Sequence, residues 1–114
     1  MRRILFYLFL FVAASAFAQE SSDEQLAAQF FQNKEYDKAL MYYEKLFNKK
    51  PSVLIYKNYL VCLTETKNLD KAEKLVKKQI KQNPESPEYK VDLGVLYKQE
   101  GEANKAKEIF ERSI

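Results

Sequence analysis

An all-α chain of repeated helix-turn-helix units, stacked side by side as a solenoid, is the fold class this sequence predicts. Three observations predict it. Landmarks recur at a fixed step: Tyr36-Asp37-Lys38-Ala39 returns as Leu69-Asp70-Lys71-Ala72 and Pro51 returns as Pro84, both after 33 residues, and Ala72 returns as Ala106 after 34. A step of this size marks stacked supersecondary units. Within each step the apolar and aromatic residues fall three and four apart, the spacing of one helix face. Proline and glycine then punctuate the pattern where helices must stop. The units run approximately over 20–52, 53–86 and 87–114, the last incomplete.

The chain opens with a segment of a different kind. Arg2 and Arg3 precede an apolar run from Ile4 to Ala14, and Ala16-Phe17-Ala18 closes it. This is the layout of a secretory signal peptide over residues 1–18, with cleavage expected between Ala18 and Gln19. The apolar run is shorter than the roughly 20 residues a spanning helix needs, so no stable membrane span is expected after cleavage. No cysteine stands at the cleavage site for lipid attachment. The expectation is export of a domain over 19–114. The short leader has a bacterial look, which makes the periplasm the first compartment and secretion the second.

In the first unit, Ser21 and Glu24 are spaced as a capping box ahead of a helix carrying Ala27 and Phe30. Ala39 and Tyr43 lie on one face of its second helix, and Pro51 ends it. The second unit repeats the plan with Tyr59, Leu60 and Leu63, then Ala72 and Val76, then Pro84. In the third, Ser86 is placed as N-cap, Pro87 at the first helical position and Glu88 in the first turn. Leu93, Gly94 and Tyr97 share one helix face, and Ala103, Ala106 and Phe110 share the next. Gly101 lies between them, where a tight turn favours a residue without a Cβ. Small residues let the paired helices cross closely; Phe30, Tyr43, Tyr97 and Phe110 fill the volume around the crossings.

Charge and composition exclude several functions. The chain counts 19 Lys+Arg against 16 Asp+Glu, and loss of Arg2 and Arg3 with the leader leaves 17 against 16, a net charge of +1. A near-neutral exported domain gives no reason to expect nucleic acid as a partner. With no histidine and one cysteine, the usual zinc ligand sets and His-dependent catalytic triads are absent. Cys62 sits among Tyr59, Leu60, Val61 and Leu63, the setting of a buried and inert thiol. No catalytic residue, metal or cofactor is predicted.

Leu93-Gly94-x-x-Tyr97 followed by Ala106-x-x-x-Phe110 resembles the tetratricopeptide repeat. Leu26-Ala27-x-x-Phe30, Ala39-x-x-x-Tyr43 and Pro51 resemble it in the first unit; Tyr59-Leu60-x-x-Leu63, Ala72-x-x-x-Val76 and Pro84 do so more loosely in the second. The tryptophan common at the start of such repeats is replaced by Asp23, Tyr56 and Lys90. The resemblance implies a scaffold that is not an enzyme and binds a protein or peptide partner on the side lined by the first helix of each pair.

On those first helices, Glu24, Ala28 and Phe31, then Lys57, Val61 and Thr64, then Val91, Val95 and Lys98 each follow one stripe. The expected groove has Phe31, Val61 and Val95 as apolar contacts, Thr64 beside them, and Lys57 and Lys98 at charged edges. Glu24 and Ala28 stand where receptors of acidic chaperone tails use lysine and asparagine, so that activity is not expected. Lys71, Lys74, Lys78 and Lys81 form a basic stripe on a second helix, read as a solvated outer face whose last lysines suit the helix dipole. The third unit stops before a counterpart of Pro51 and Pro84, leaving a side near Ile109 and Ile114 to be covered. Further repeats, another domain or a second copy of the chain would supply that cover. If the chain is the front of a longer protein, these repeats would be the recognition module of a sensory, enzymatic or envelope-assembly protein.

Overall fold

A computed structural model describes residues 22–113, so the expected signal peptide and the capping serine Ser21 lie outside the described residues. Six helices follow one another: α1 over 22–32, α2 (Tyr36–Lys49), α3 (Val53–Glu65), α4 (Leu69–Gln82), α5 (Pro87–Gln99) and α6 (Ala103–Ser113). Among the described residues no helix is long and apolar enough to cross a membrane.

The turns inside the three pairs are copies of one another. After α1, the Lys34 N–H donates to Phe31 O (3.0 Å) and the Glu35 N–H to Phe30 O (2.8 Å). After α3, Lys67 and Asn68 donate to Thr64 O (3.1 Å) and Leu63 O (2.8 Å); after α5, Gly101 and Glu102 donate to Lys98 O (3.1 Å) and Tyr97 O (2.8 Å). This paired pattern satisfies the last carbonyls of each helix and needs a left-handed residue at its centre. Lys34, Lys67 and Gly101 supply it, with φ of 60°, 62° and 80°. Glycine adopts that conformation freely, whereas each lysine holds it against a steric penalty. The carbonyls of Glu35, Asn68 and Glu102 then accept the first bonds of the second helices, from Ala39, Ala72 and Ala106.

Between pairs the chain stops differently. α2 and α4 end one residue past the last helical turn, where Lys50 and Asn83 donate to Leu46 O and Gln79 O (both 2.8 Å). Pro51 and Pro84 follow directly, as expected of residues that cannot continue the ladder. Ser86 occupies the N-cap position of α5 with extended backbone and Pro87 begins the helix, but the Ser86 hydroxyl makes no cap bond.

The helices form two compact units, the first ending at Tyr59 and the second beginning at Leu60. The first buries Ala27, Ala39, Tyr43, Leu46, Phe47, Tyr56 and Tyr59. Its aromatic rings pack on one another: Phe30 stacks on Tyr42, Phe31 meets Tyr36 and Tyr43 edge-on, and Phe47 tilts against Tyr59 at 5.7 Å. Asp23 is buried at the start of α1 and pairs with Lys45 at 3.1 Å. The half-buried Asn58 amide donates to the Tyr43 hydroxyl at 3.1 Å.

The second unit buries Cys62, Leu63, Ala72, Leu75, Val76, Leu93, Leu96, Tyr97 and Ala106. α5 packs against both α4 and α6. The crossing of α5 and α6 is as close as the small residues predict: a Cβ placed on Gly94 would lie 2.5, 2.8 and 2.9 Å from three ring carbons of Phe110. Ile109, expected on a side left uncovered, is half-buried and lines one cleft with Ile80 and Leu93. Ile114 lies outside the described residues.

Candidate functional site

In the second unit, α3 and α5 present a cleft of about 170 Å³ lined by Leu60, Val61 and Thr64 on one side and Asp92, Val95, Leu96 and Gln99 on the other. Its floor is aliphatic. Leu96 is fully buried, whereas Val61 and Val95 keep 37% and 45% of their surface exposed. Two exposed valines facing one cleft give an apolar contact surface that folding itself does not use. The Thr64 hydroxyl donates to Val61 O at 2.9 Å, so its hydrogen is turned to its own helix. Asp92 and Gln99 add acceptors and donors at the other wall.

Three of the six residues expected at a groove therefore meet here: Val61, Thr64 and Val95. Lys98 is exposed on α5 but does not line the cleft. Lys57 is exposed in the first unit. Phe31 stands apart for a physical reason. Its ring is seated edge-on against Tyr36 (5.6 Å) and Tyr43 (5.9 Å), so it contributes to the aromatic packing of α1 on α2. Leu60, Asp92, Leu96 and Gln99 were missed. The expected stripe followed Val91, Val95 and Lys98, whereas the cleft takes Asp92, Val95, Leu96 and Gln99, spaced i, i+3, i+4, i+7 on a slightly rotated face. That spacing was present in the sequence; which rotation faces α3 was not.

The first unit has its own cleft of about 370 Å³, where Glu24 and Ala28 of α1 face Leu54, Ile55 and Asn58 of α3. Leu54 is 68% exposed at its mouth. Glu24 is the one charged side chain among its lining residues.

A polar bridge fixes the α5 wall of the second-unit cleft from behind. The Tyr97 hydroxyl donates to Glu73 Oε1 at 2.9 Å, and Lys77 Nζ sits 2.8 Å from the same oxygen. Lys105 lies over the Tyr97 ring. The Lys77 hydrogen bond holds the Glu73 carboxyl below its ordinary range, with Tyr97 adding to it, while burial and then Glu73 push the Tyr97 hydroxyl up. Burial also pushes the Cys62 thiol up to about 11, so it is protonated and inert at neutral pH. Lys74, Lys78 and Lys81 of the basic stripe are exposed. Among the described residues no three His, Cys, Asp or Glu side chains come together as metal ligands would.

Residues 30–90 match the sequence model of the tetratricopeptide repeat, and residues 87–114 match a second model of the same repeat. No curated protein matches the chain by sequence. Among solved structures, the chain is similar to MamA AMB-1, with a TM-score of 0.68 and 20% identity over 88% of this chain and 55% of that one. It is similar also to MamA MSR-1, with a TM-score of 0.65 and 21% identity over 89% of this chain and 63% of that one. The chain thus spans 55% and 63% of the lengths of these two structures. At such identities the likeness is one of fold. With the family's sequence pattern over more than half the chain and the triplicated turn, the chain belongs to the tetratricopeptide repeat family.

Proposed function

We propose that this chain is an exported protein–protein interaction scaffold that captures a peptide or a segment of a partner protein on the side lined by its first helices. Tetratricopeptide repeats are in general binding scaffolds rather than enzymes, and the family assignment supports that much. The observation that carries the reading is the pair of half-exposed valines, Val61 and Val95, facing one cleft between α3 and α5. Leucine, valine or isoleucine of a partner would cover them, and Asp92 and Gln99 would fix its direction through hydrogen bonds. The layout of residues 1–18 supports export, with the periplasm as first compartment, and makes the domain from residue 19 onward the form that works.

The test is selection of a displayed peptide library on the purified domain from Gln19, followed by binding to a Val61→Glu, Val95→Glu double variant. Capture is expected to fall at least about tenfold, since two buried carboxylates each meet an apolar partner side chain, with helicity unchanged. Binders unaffected by the double variant would place the partner elsewhere. Phe31 is left out of the test because its replacement would also remove aromatic packing.

A further inference from the structure

On the other side of α5, the second unit holds a cleft of about 290 Å³ between α4, α5 and α6. Ile80, Leu93 and Ile109 form its apolar floor; Lys77, Lys90 and Arg112 stand around its rim. Its origin is legible from the repeat. One step earlier, the counterparts of Ile80, Lys90 and Leu93 are Phe47, Tyr56 and Tyr59, all buried, with the Phe47 and Tyr59 rings in contact. Where the first unit has three aromatic side chains, the second has two aliphatic ones and a lysine. The lost ring volume is the cleft.

The rim is electrostatically unbalanced. Lys77 is held by Glu73, and Arg112 by Glu108. Lys90 is half-buried, and its side chain has no ion pair or hydrogen bond among the described residues. Three cations against two carboxylates leave one positive charge at the rim of an apolar cleft. The volume is at the small end for a ligand pocket.

We propose that this cleft binds an aliphatic carboxylate of medium chain length, its alkyl body against Ile80, Leu93 and Ile109 and its head paired with Lys90. The site is separate from the α3–α5 cleft and does not depend on the scaffold reading. Apolar contact supplies the attraction, and the single unneutralised lysine selects an anion over a neutral chain.

Calorimetric titration of the purified chain with sodium octanoate tests it, with octan-1-ol as the neutral control. Saturable octanoate binding is expected, weaker by about tenfold for octan-1-ol and for octanoate on Lys90→Gln. A second variant, Ile80→Phe with Leu93→Tyr, returns the rings of the first unit. It should abolish octanoate binding while holding or raising the unfolding temperature. No octanoate binding would overturn the proposal, as would equal binding of the alcohol or binding that survives the ring-filled variant. A dimer that the ring-filled variant dissociates would make a second copy's side chain the occupant and refute it too.

Discussion

Replacing Gly94 by leucine probes the crossing of α5 and α6, where the structure leaves no room. Already the Cβ would come within 2.5 Å of the Phe110 ring, and leucine adds three carbons beyond it. Overpacking of this kind costs about 1–3 kcal/mol, and removing a glycine from a helix interior returns about 0.8 kcal/mol. The net loss expected for Gly94→Leu is therefore about 0.2–2.2 kcal/mol, its upper end a large share of a small domain's stability. The second repeat, over 53–86, shows the remedy. Its residues at the equivalent positions are Leu60 and Val76, a larger first-helix residue opposite a smaller second-helix one. Phe110→Val alone should cost about 1–2 kcal/mol through lost burial of a half-exposed ring. Combined with Gly94→Leu it should cost less than the two singles together, with a coupling of about 1–2 kcal/mol. Urea unfolding followed by helical circular dichroism measures all four species, with midpoints compared at constant slope. Additivity within about 0.5 kcal/mol would refute the account of the crossing.

Three further outcomes are expected. Gly101→Ala should lower stability by about 1 kcal/mol from backbone strain alone, because its φ is +80° and no atom lies within 4 Å of the added Cβ; urea midpoints will show it, and no loss would remove the strain argument. Glu73, held below its ordinary pKa by Lys77 and Tyr97, contributes stability above its unfolded value that is lost as pH falls through the folded one. The stability difference between the parent and Glu73→Gln should therefore shrink as pH drops below about 4.5, whereas a constant difference would leave the bridge without an ionic part. The buried Cys62 thiol, pushed up to about 11, should react with an aromatic disulfide reagent near pH 8 only as fast as the domain opens, and fast labelling of the folded chain would contradict its burial.

Much of the fold was legible because a repeat states its rules three times. Ala39, Ala72 and Ala106 marked the crossing face of the second helices, and Pro51 and Pro84 marked where two of them end. Gly101 announced its turn, but Lys34 and Lys67 did not, since a lysine in the left-handed region has no compositional sign; only the repeat steps of 33 and 34 residues link them to Gly101. The candidate site was half legible. Val61, Thr64 and Val95 follow from helix spacing, yet the rotation that brings Asp92 and Gln99 to α3 depends on how the helices pack. Phe31 shares a stripe position with Thr64 and Lys98, and only the position of Tyr36 and Tyr43 shows that its ring is engaged within its own pair. The α4–α5–α6 cleft was written in Ile80, Lys90 and Leu93, but their convergence was not.

The scaffold reading turns most directly on what touches Val95. A photo-crosslinking amino acid placed there, with a second copy of the experiment at Lys78 on the outer face of α4, reports neighbours in the cells that make the protein. The account predicts a discrete crosslinked partner from position 95, lost on Val61→Glu, and none from position 78. Equal crosslinking from both positions, or a partner seen only from position 78, would contradict it.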